Sequence, residues 1–194
     1  MLSATTPTQD NGRQARITPT QIFFLLAILV VALALRLYNN NWDDYQHAHP
    51  DERWIVMVAG DMHMPHHISE ALDPRRSPFN PLWNPEQRAV RHFAYGHLPL
   101  YILTATAALV HAAGQALTGL GLPSEIIRWL VAANTYDGLN LLGRVLSALF
   151  DTGSVYVIFL IGRRIYSTRA ALLGAAFAAL TVTSIQLSHF YAFD

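Results

Sequence analysis

Asp51 and Glu52 stand side by side in the run His49-Pro50-Asp51-Glu52-Arg53. Two acids opening a helix have chemistry available to them. A helix N-terminus favours the carboxylate form. An ionised Asp can then act as general base toward a hydroxyl or an amine. A neighbouring acid can hold a divalent cation through oxygen. The same pair also reads as ordinary first-turn capping. Arg144 and Asp151 form a second pair of interest, because both interrupt an otherwise apolar stretch. Ionisable groups in such a setting are expensive and usually functional. Seven residues apart, they share one helix face. Arg144 can meet a lipid phosphate through charge-assisted hydrogen bonds or snorkel to an interface; Asp151 reads as a partner inside the bundle. Asp194, closing the run IQLSHFYAFD, is a further acid. His63, His66 and His67 cluster in DMHMPHH, but Pro65 interrupts the helical spacing a metal site would need. His97, in YGHLPLY, is the better site candidate, and His49 joins it and Arg144 as a substrate-binding candidate.

The elements that must position these residues are mostly apolar helices. Ile17–Leu35 runs without a charge between Arg16 and Arg36, long enough to cross about 30 Å of hydrocarbon. Arg13 and Arg16 before it mark a cytoplasmic N-terminus. A cleaved signal peptide is the competing reading; in either case the chain after Arg36 is exported. Leu139–Gly162 and Ala170–Leu187 form a helical hairpin, whose turn RRIYSTR holds three arginines and no acid and belongs on the cytoplasmic side. The expected spanning helices cover about 20–38, 139–162 and 170–190, with residues 1–19 as a disordered cytoplasmic tail and about 39–137 as an exported or interfacial loop. Within that loop Trp54, Val58 and Met62 fall at helical intervals, so a short amphipathic helix begins near Asp51. Pro50 suits its first turn. Asp73–Pro85 reads as loop. The block from Leu98 to about Asn134 must cross the membrane an even number of times to keep the hairpin turn inside. A juxtamembrane, partly buried helix pair is the favoured arrangement. The fold class is therefore all-α and polytopic.

Composition excludes several alternatives. Only 13% of residues are charged, against about 25% in a soluble domain. Lys+Arg and Asp+Glu are equal in number and no basic stripe exists to track a nucleic acid. The absence of cysteine removes disulfides, zinc–thiolate sites and thiol nucleophiles. No Gly-rich phosphate loop is present.

The segments HPDERW, YGHLPLY, GRVLSALFDTGSVYVIFLIGRRIY and IQLSHFYAFD, in this order, resemble bacterial members of the GT-C superfamily of glycosyltransferases. The nearest groups are the dolichyl-phosphate-mannose-dependent protein mannosyltransferases and the lipid A aminoarabinose transferases. The resemblance covers nearly the whole chain after residue 20. It implies that this chain is the N-terminal part of a longer multi-pass plasma-membrane enzyme. Such an enzyme transfers a sugar, with inversion, from a polyprenyl-phosphate donor to a protein, lipid or glycan acceptor on the extracytoplasmic side. It implies Asp51 as catalytic base, Glu52 as the second acid of the pair, Asp194 as the acid after the third conserved helix, and Arg144 as the arginine opening the second. Aminoarabinose transferases carry a metal-binding glutamate just before the YGHLPLY region. This chain has Tyr95 and Gly96 there, with His97 next, which leaves a divalent metal as an open cofactor. The alternative is a polytopic transporter or metal-handling membrane protein. A transporter would gather its charges near the bilayer midplane; a transferase would bring Asp51 and Asp194 together at the outer surface.

Overall fold

The structure is a computed structural model and describes residues 16–63, 65, 67–73, 75 and 77–192. Among them are eight α-helices and one two-residue β-hairpin. In chain order the helices are α1 (Pro19–Leu37), α2 (Pro50–Asp61), α3 (Ile68–Ala71), α4 (Leu98–Leu117), α5 (Ser124–Val131), α6 (Tyr136–Ile165), α7 (Thr168–Ala179) and α8 (Val182–Leu187). Three of them, α1, α4 and α6, are long and apolar enough to cross a membrane.

Local sequence explains where these helices start. Thr18 caps α1 with Gln21 in a reciprocal capping box, Pro19 takes the first helical position, and Arg36 sits in the last turn. The helix thus begins one residue before the expected boundary. Of the expected tail, residues 1–15 lie outside the described residues, while Arg16 to Thr18 lead into the cap. His49 caps α2, with Pro50 first and both acids in the opening turn, as the spacing predicts. Thr135 caps α6 by accepting a hydrogen bond from the Gly138 N–H at 3.1 Å. That helix runs 30 residues, longer at both ends than 139–162, and closes on Arg163 and Arg164. The Asp73–Pro85 stretch is not all loop: Trp83–Asn84 pairs antiparallel with Ala89–Val90.

The expected single helix over 170–190 is two helices. α7 ends at Ala179, and Thr181 is extended before α8 begins. A break leaves carbonyls without intrahelical donors. Arg36 supplies donors: its guanidinium, fully buried, reaches the carbonyls of Ala179 at 3.0 Å and Ala178 at 3.4 Å. The Thr181 hydroxyl donates to the Phe177 carbonyl at 2.9 Å. Asp151 on α6 accepts from Arg36 Nε at 2.5 Å and from the Ser184 hydroxyl at 2.7 Å. The buried charge of α1 therefore fixes the break in the neighbouring chain.

Two apolar clusters hold the helices. One joins α2, α4 and α6 through Ile55, Val58, Leu100, Leu103, Leu139 and Leu142, with Tyr191 from the chain after α8. The other joins α1, α6 and α7 through Leu25, Ala32, Val155, Phe159, Ala171 and Ala175. The block after Leu98 forms a helix pair, α4 and α5, joined by a 3-10 turn (Ala132–Asn134) to α6. α6 starts hard against that turn. A Cβ on Gly138 would stand 1.9 Å from the Ala132 carbonyl oxygen, whereas one on Gly153 would meet nothing within 4 Å.

These two glycines make a paired prediction. Gly138→Ala forces backbone apart and should destabilise the chain by about 1–3 kcal/mol, as overpacking does. Gly153→Ala should be neutral or stabilise by up to about 1 kcal/mol through helix propensity. Thermal unfolding followed by circular dichroism in detergent measures both; equal midpoints for the two variants would disprove the close approach.

Candidate functional site

The charged groups of the chain meet where the C-terminal end of α1 faces the N-terminal half of α6. The centre is Arg144, fully buried on α6. Its Nε donates to Glu52 Oε1 at 2.9 Å and one Nη to Glu52 Oε2 at 2.7 Å. The same Nη reaches Asp43 Oδ2 at 2.9 Å; the other reaches Asp43 Oδ1 and the Asn40 carbonyl, each at 3.0 Å. A guanidinium has five N–H donors, and all five are used. The Trp42 ring lies 5.4 Å from the guanidinium carbon, within cation–π reach.

The two carboxylates are satisfied as well. Glu52 Oε1 also accepts the Tyr191 N–H at 2.9 Å, and Asp43 Oδ2 accepts the Ala48 N–H at 3.1 Å. Both acids are buried. The hydrogen bonds from Arg144 hold the Asp43 carboxyl below the ordinary carboxylate range; burial opposes this, and the Ala48 N–H adds to it. Burial pushes the Tyr191 hydroxyl upward, and that hydroxyl donates to the Pro99 carbonyl at 2.7 Å.

This geometry separates the residues singled out from sequence. The sequence reading puts Arg144 at a lipid phosphate, but here no donor remains for one. It makes Glu52 a second catalytic acid, but here Glu52 is a buried ion-pair partner. Asp51, the next residue, is half-exposed and carries no hydrogen bond or ion pair among the described residues. His49 is a helix cap: its Nδ1 accepts the Glu52 N–H at 3.3 Å, and its ring packs 4.6 Å from Phe190. His97 precedes α4 without a side-chain cap bond, and its ring lies 6.1 Å from that of Phe93. Asp194 and His66 lie outside the described residues.

Sequence reasoning passed over Asp43, Asn40 and Trp42, and over Arg36 and Ser184 as the partners of Asp151. Asp43 follows α1 by six positions and carried a signal as an acid close to an exported helix end. The Asn40 carbonyl and the Tyr191 N–H are main-chain groups and carried none. Among the described residues no three His, Asp or Glu side chains are placed to hold a metal ion.

Two predictions test the ion cluster. Arg144→Lys keeps the charge but loses the planar five-donor fork. It leaves buried carboxylate oxygens unpaired and should destabilise the chain by about 3–5 kcal/mol, read as a lowered unfolding midpoint. The second concerns acid. Asp43 has a depressed folded pKa, so its stabilising contribution is complete above its unfolded value of about 3.9 and is lost as pH falls through the lower folded value. The stability gap between the wild-type chain and Asp43→Asn should therefore be constant above about pH 5 and narrow below pH 4. A pH-independent gap would rule out this linkage.

No family model, no curated protein and no solved structure matches this chain.

Proposed function

We propose that this chain is part of a multi-pass membrane glycosyltransferase that takes a sugar from a polyprenyl-phosphate carrier, with Asp51 as general base. The carrying observation is the contrast between the two adjacent acids. Glu52 is buried and fully paired, while Asp51 is half-exposed and unpaired on the first turn of the same helix. Glu52, Arg144 and Asp43 are positioning residues in this reading. They fix the start of α2 and so hold the Asp51 carboxylate in place.

The depth of the charges supports a surface reaction over transport. The 30 residues of α6 extend about 45 Å, well beyond an apolar layer of about 30 Å. Asp151 is level with Arg36, in the last turn of the 19-residue α1. Arg144 stands two turns, about 10 Å, farther toward the N-terminus of α6. The ion cluster therefore lies at or beyond the end of the apolar layer, not at the midplane position expected of a transporter. The arginines of the α6–α7 turn lie at the opposite end, which favours a cytoplasmic turn, a cytoplasmic N-terminus and an exported site in the plasma membrane.

In the reaction, an acceptor hydroxyl or amine attacks the anomeric carbon from the face opposite the phosphate. The bond from carbon to phosphate oxygen breaks, and polyprenyl phosphate leaves as the anion. Asp51 receives the acceptor proton. Because Arg144 is fully engaged, the cation that meets the leaving phosphate must be another group. Arg53 is exposed in the same first turn as Asp51.

Asp51→Asn should abolish transfer of a labelled sugar from polyprenyl phosphate in membranes containing the complete protein. A positioned general base is worth about 10²–10⁴-fold in rate. Expression, insertion and thermal midpoint should stay unchanged, because Asp51 has no structural partner. Near wild-type transfer by this variant would reduce Asp51 to a helix cap and overturn the assignment.

A further inference from the structure

A cavity of about 400 Å³ opens between α4, α6 and α8 beside the Arg36–Asp151 pair. Its walls are apolar, with Pro99, Ile102, Phe150 and Leu187 among them. Its polar lining is chemically one-sided. The Ser147 hydroxyl donates to the Phe190 carbonyl at 2.8 Å, Ser154 to the Phe150 carbonyl at 3.1 Å, and Ser188 to the Ile185 carbonyl at 2.7 Å. Ser184 donates to Asp151 Oδ2 and Tyr191 to the Pro99 carbonyl, each at 2.7 Å. A carbonyl or carboxylate only accepts, so each of these hydroxyls commits its proton to the protein and has lone pairs left for an occupant. Asp151 adds a carboxylate that is 28% exposed, with hydrogen bonds among the described residues to Oδ2 alone. The Arg36 donors are engaged by Asp151, Ser184 and the carbonyls of Ala32, Ala178 and Ala179. The side chains lining this cavity therefore present acceptors and no free donor.

We propose that this cavity binds the primary ammonium group of a membrane lipid head group. A phosphate inside the cavity would bring only acceptors and meet no free side-chain donor, so the lipid's own phosphate stays outside the lining. A sugar brings acceptor lone pairs with every hydroxyl, and these would find no side-chain donor. A primary ammonium has three N–H donors and no lone pair, which matches Asp151 and the serine oxygens. The position fits: Asp151 is level with the last turn of α1, where head groups meet the apolar layer if α1 spans the membrane. The inference rests on the membrane-spanning reading and not on sugar transfer, so it can fail or hold independently of Asp51.

The test is native mass spectrometry of the chain released from an oligo(ethylene glycol) ether detergent, with one lipid added at a time. Phosphatidylethanolamine should be retained about tenfold or more over phosphatidylcholine, whose quaternary nitrogen has no N–H, because hydrogen bonds to charged groups are worth this much. Ser154→Ala removes one acceptor whose only bond is to its own helix, and retention should fall severalfold. Ile102→Trp fills the cavity and should abolish the preference. Equal retention of the two lipids would overturn the proposal, as would preference for phosphatidylglycerol or for an alkyl glucoside. So would a phosphatidylethanolamine preference left intact by both substitutions.

Discussion

One buried guanidinium organises this end of the protein. Removing an arginine and two carboxylates from water costs several kcal/mol per ion, and only near-complete pairing offsets it. Here the pairing is complete on the cation side, with five N–H groups and five acceptors from two side chains and a main-chain carbonyl. Those acceptors come from two separate parts of the chain, the loop after α1 and the first turn of α2, and the donor from α6. The Tyr191 N–H adds the segment after α8 through Glu52. No subset can move without leaving a buried charge unsatisfied. The loop between α1 and α2 shows what this demands. Asn39, Asp44, Tyr45 and His47 all have positive φ, between 46° and 63°, where non-glycine residues are disfavoured. Such backbone persists only where the surroundings over-determine it, and the Arg144 bonds to Asn40 and Asp43 do so.

Arg36 repeats the device in a different role. It also has no exposed surface, but most of its partners are carbonyls rather than carboxylates. A helix interrupted in apolar surroundings must find donors for its freed carbonyls. An arginine on a neighbouring helix is well suited, because its fork reaches two consecutive carbonyls at once. The break after Ala179 and the charge at Arg36 are thus one feature seen from two helices. It lets the chain turn, so that the residues after α8 pass beside α6. There Tyr191 reaches Glu52, and a Cβ on Gly143 would strike its ring at 2.7 Å.

The sequence carried some of this and not the rest, for physical reasons. Apolar run length located α1 and α6 because crossing a low-dielectric layer needs a long charge-free helix. Pro50 and the acid pair located the start of α2 because N-terminal chemistry is local. The break at Leu180–Thr181 was not legible, since Val, Thr and Ser are tolerated within an apolar helix and the cause lies about 140 residues away at Arg36. The charges of Arg144 and Asp151 stood out in the sequence because they interrupt an apolar stretch. Their partners could not be named, because Asn40 contributes a carbonyl and Tyr191 an N–H, which any residue would supply. The same limit hid the different surroundings of the two acids of the pair. Residue type alone makes Asp51 and Glu52 equivalent.

What distinguishes them is the helix they open. Successive residues on a helix are rotated by about 100°, so adjacent acids cannot share an environment when one face is buried. Glu52 falls on the face that also carries Ile55, Val56 and Ala59, and it enters the core with its charge neutralised by Arg144. Asp51 falls outside that face and keeps its access to solvent. The buried acid fixes the backbone, and the neighbouring acid inherits that fixed position without giving up its free oxygens. A base needs both properties together: an immobile carboxylate is slow to lose its aim, and an unpaired one can take a proton. Neither residue alone could combine burial deep enough to be rigid with exposure sufficient to react. Under the proposed function, the adjacency of the two acids is itself the working arrangement.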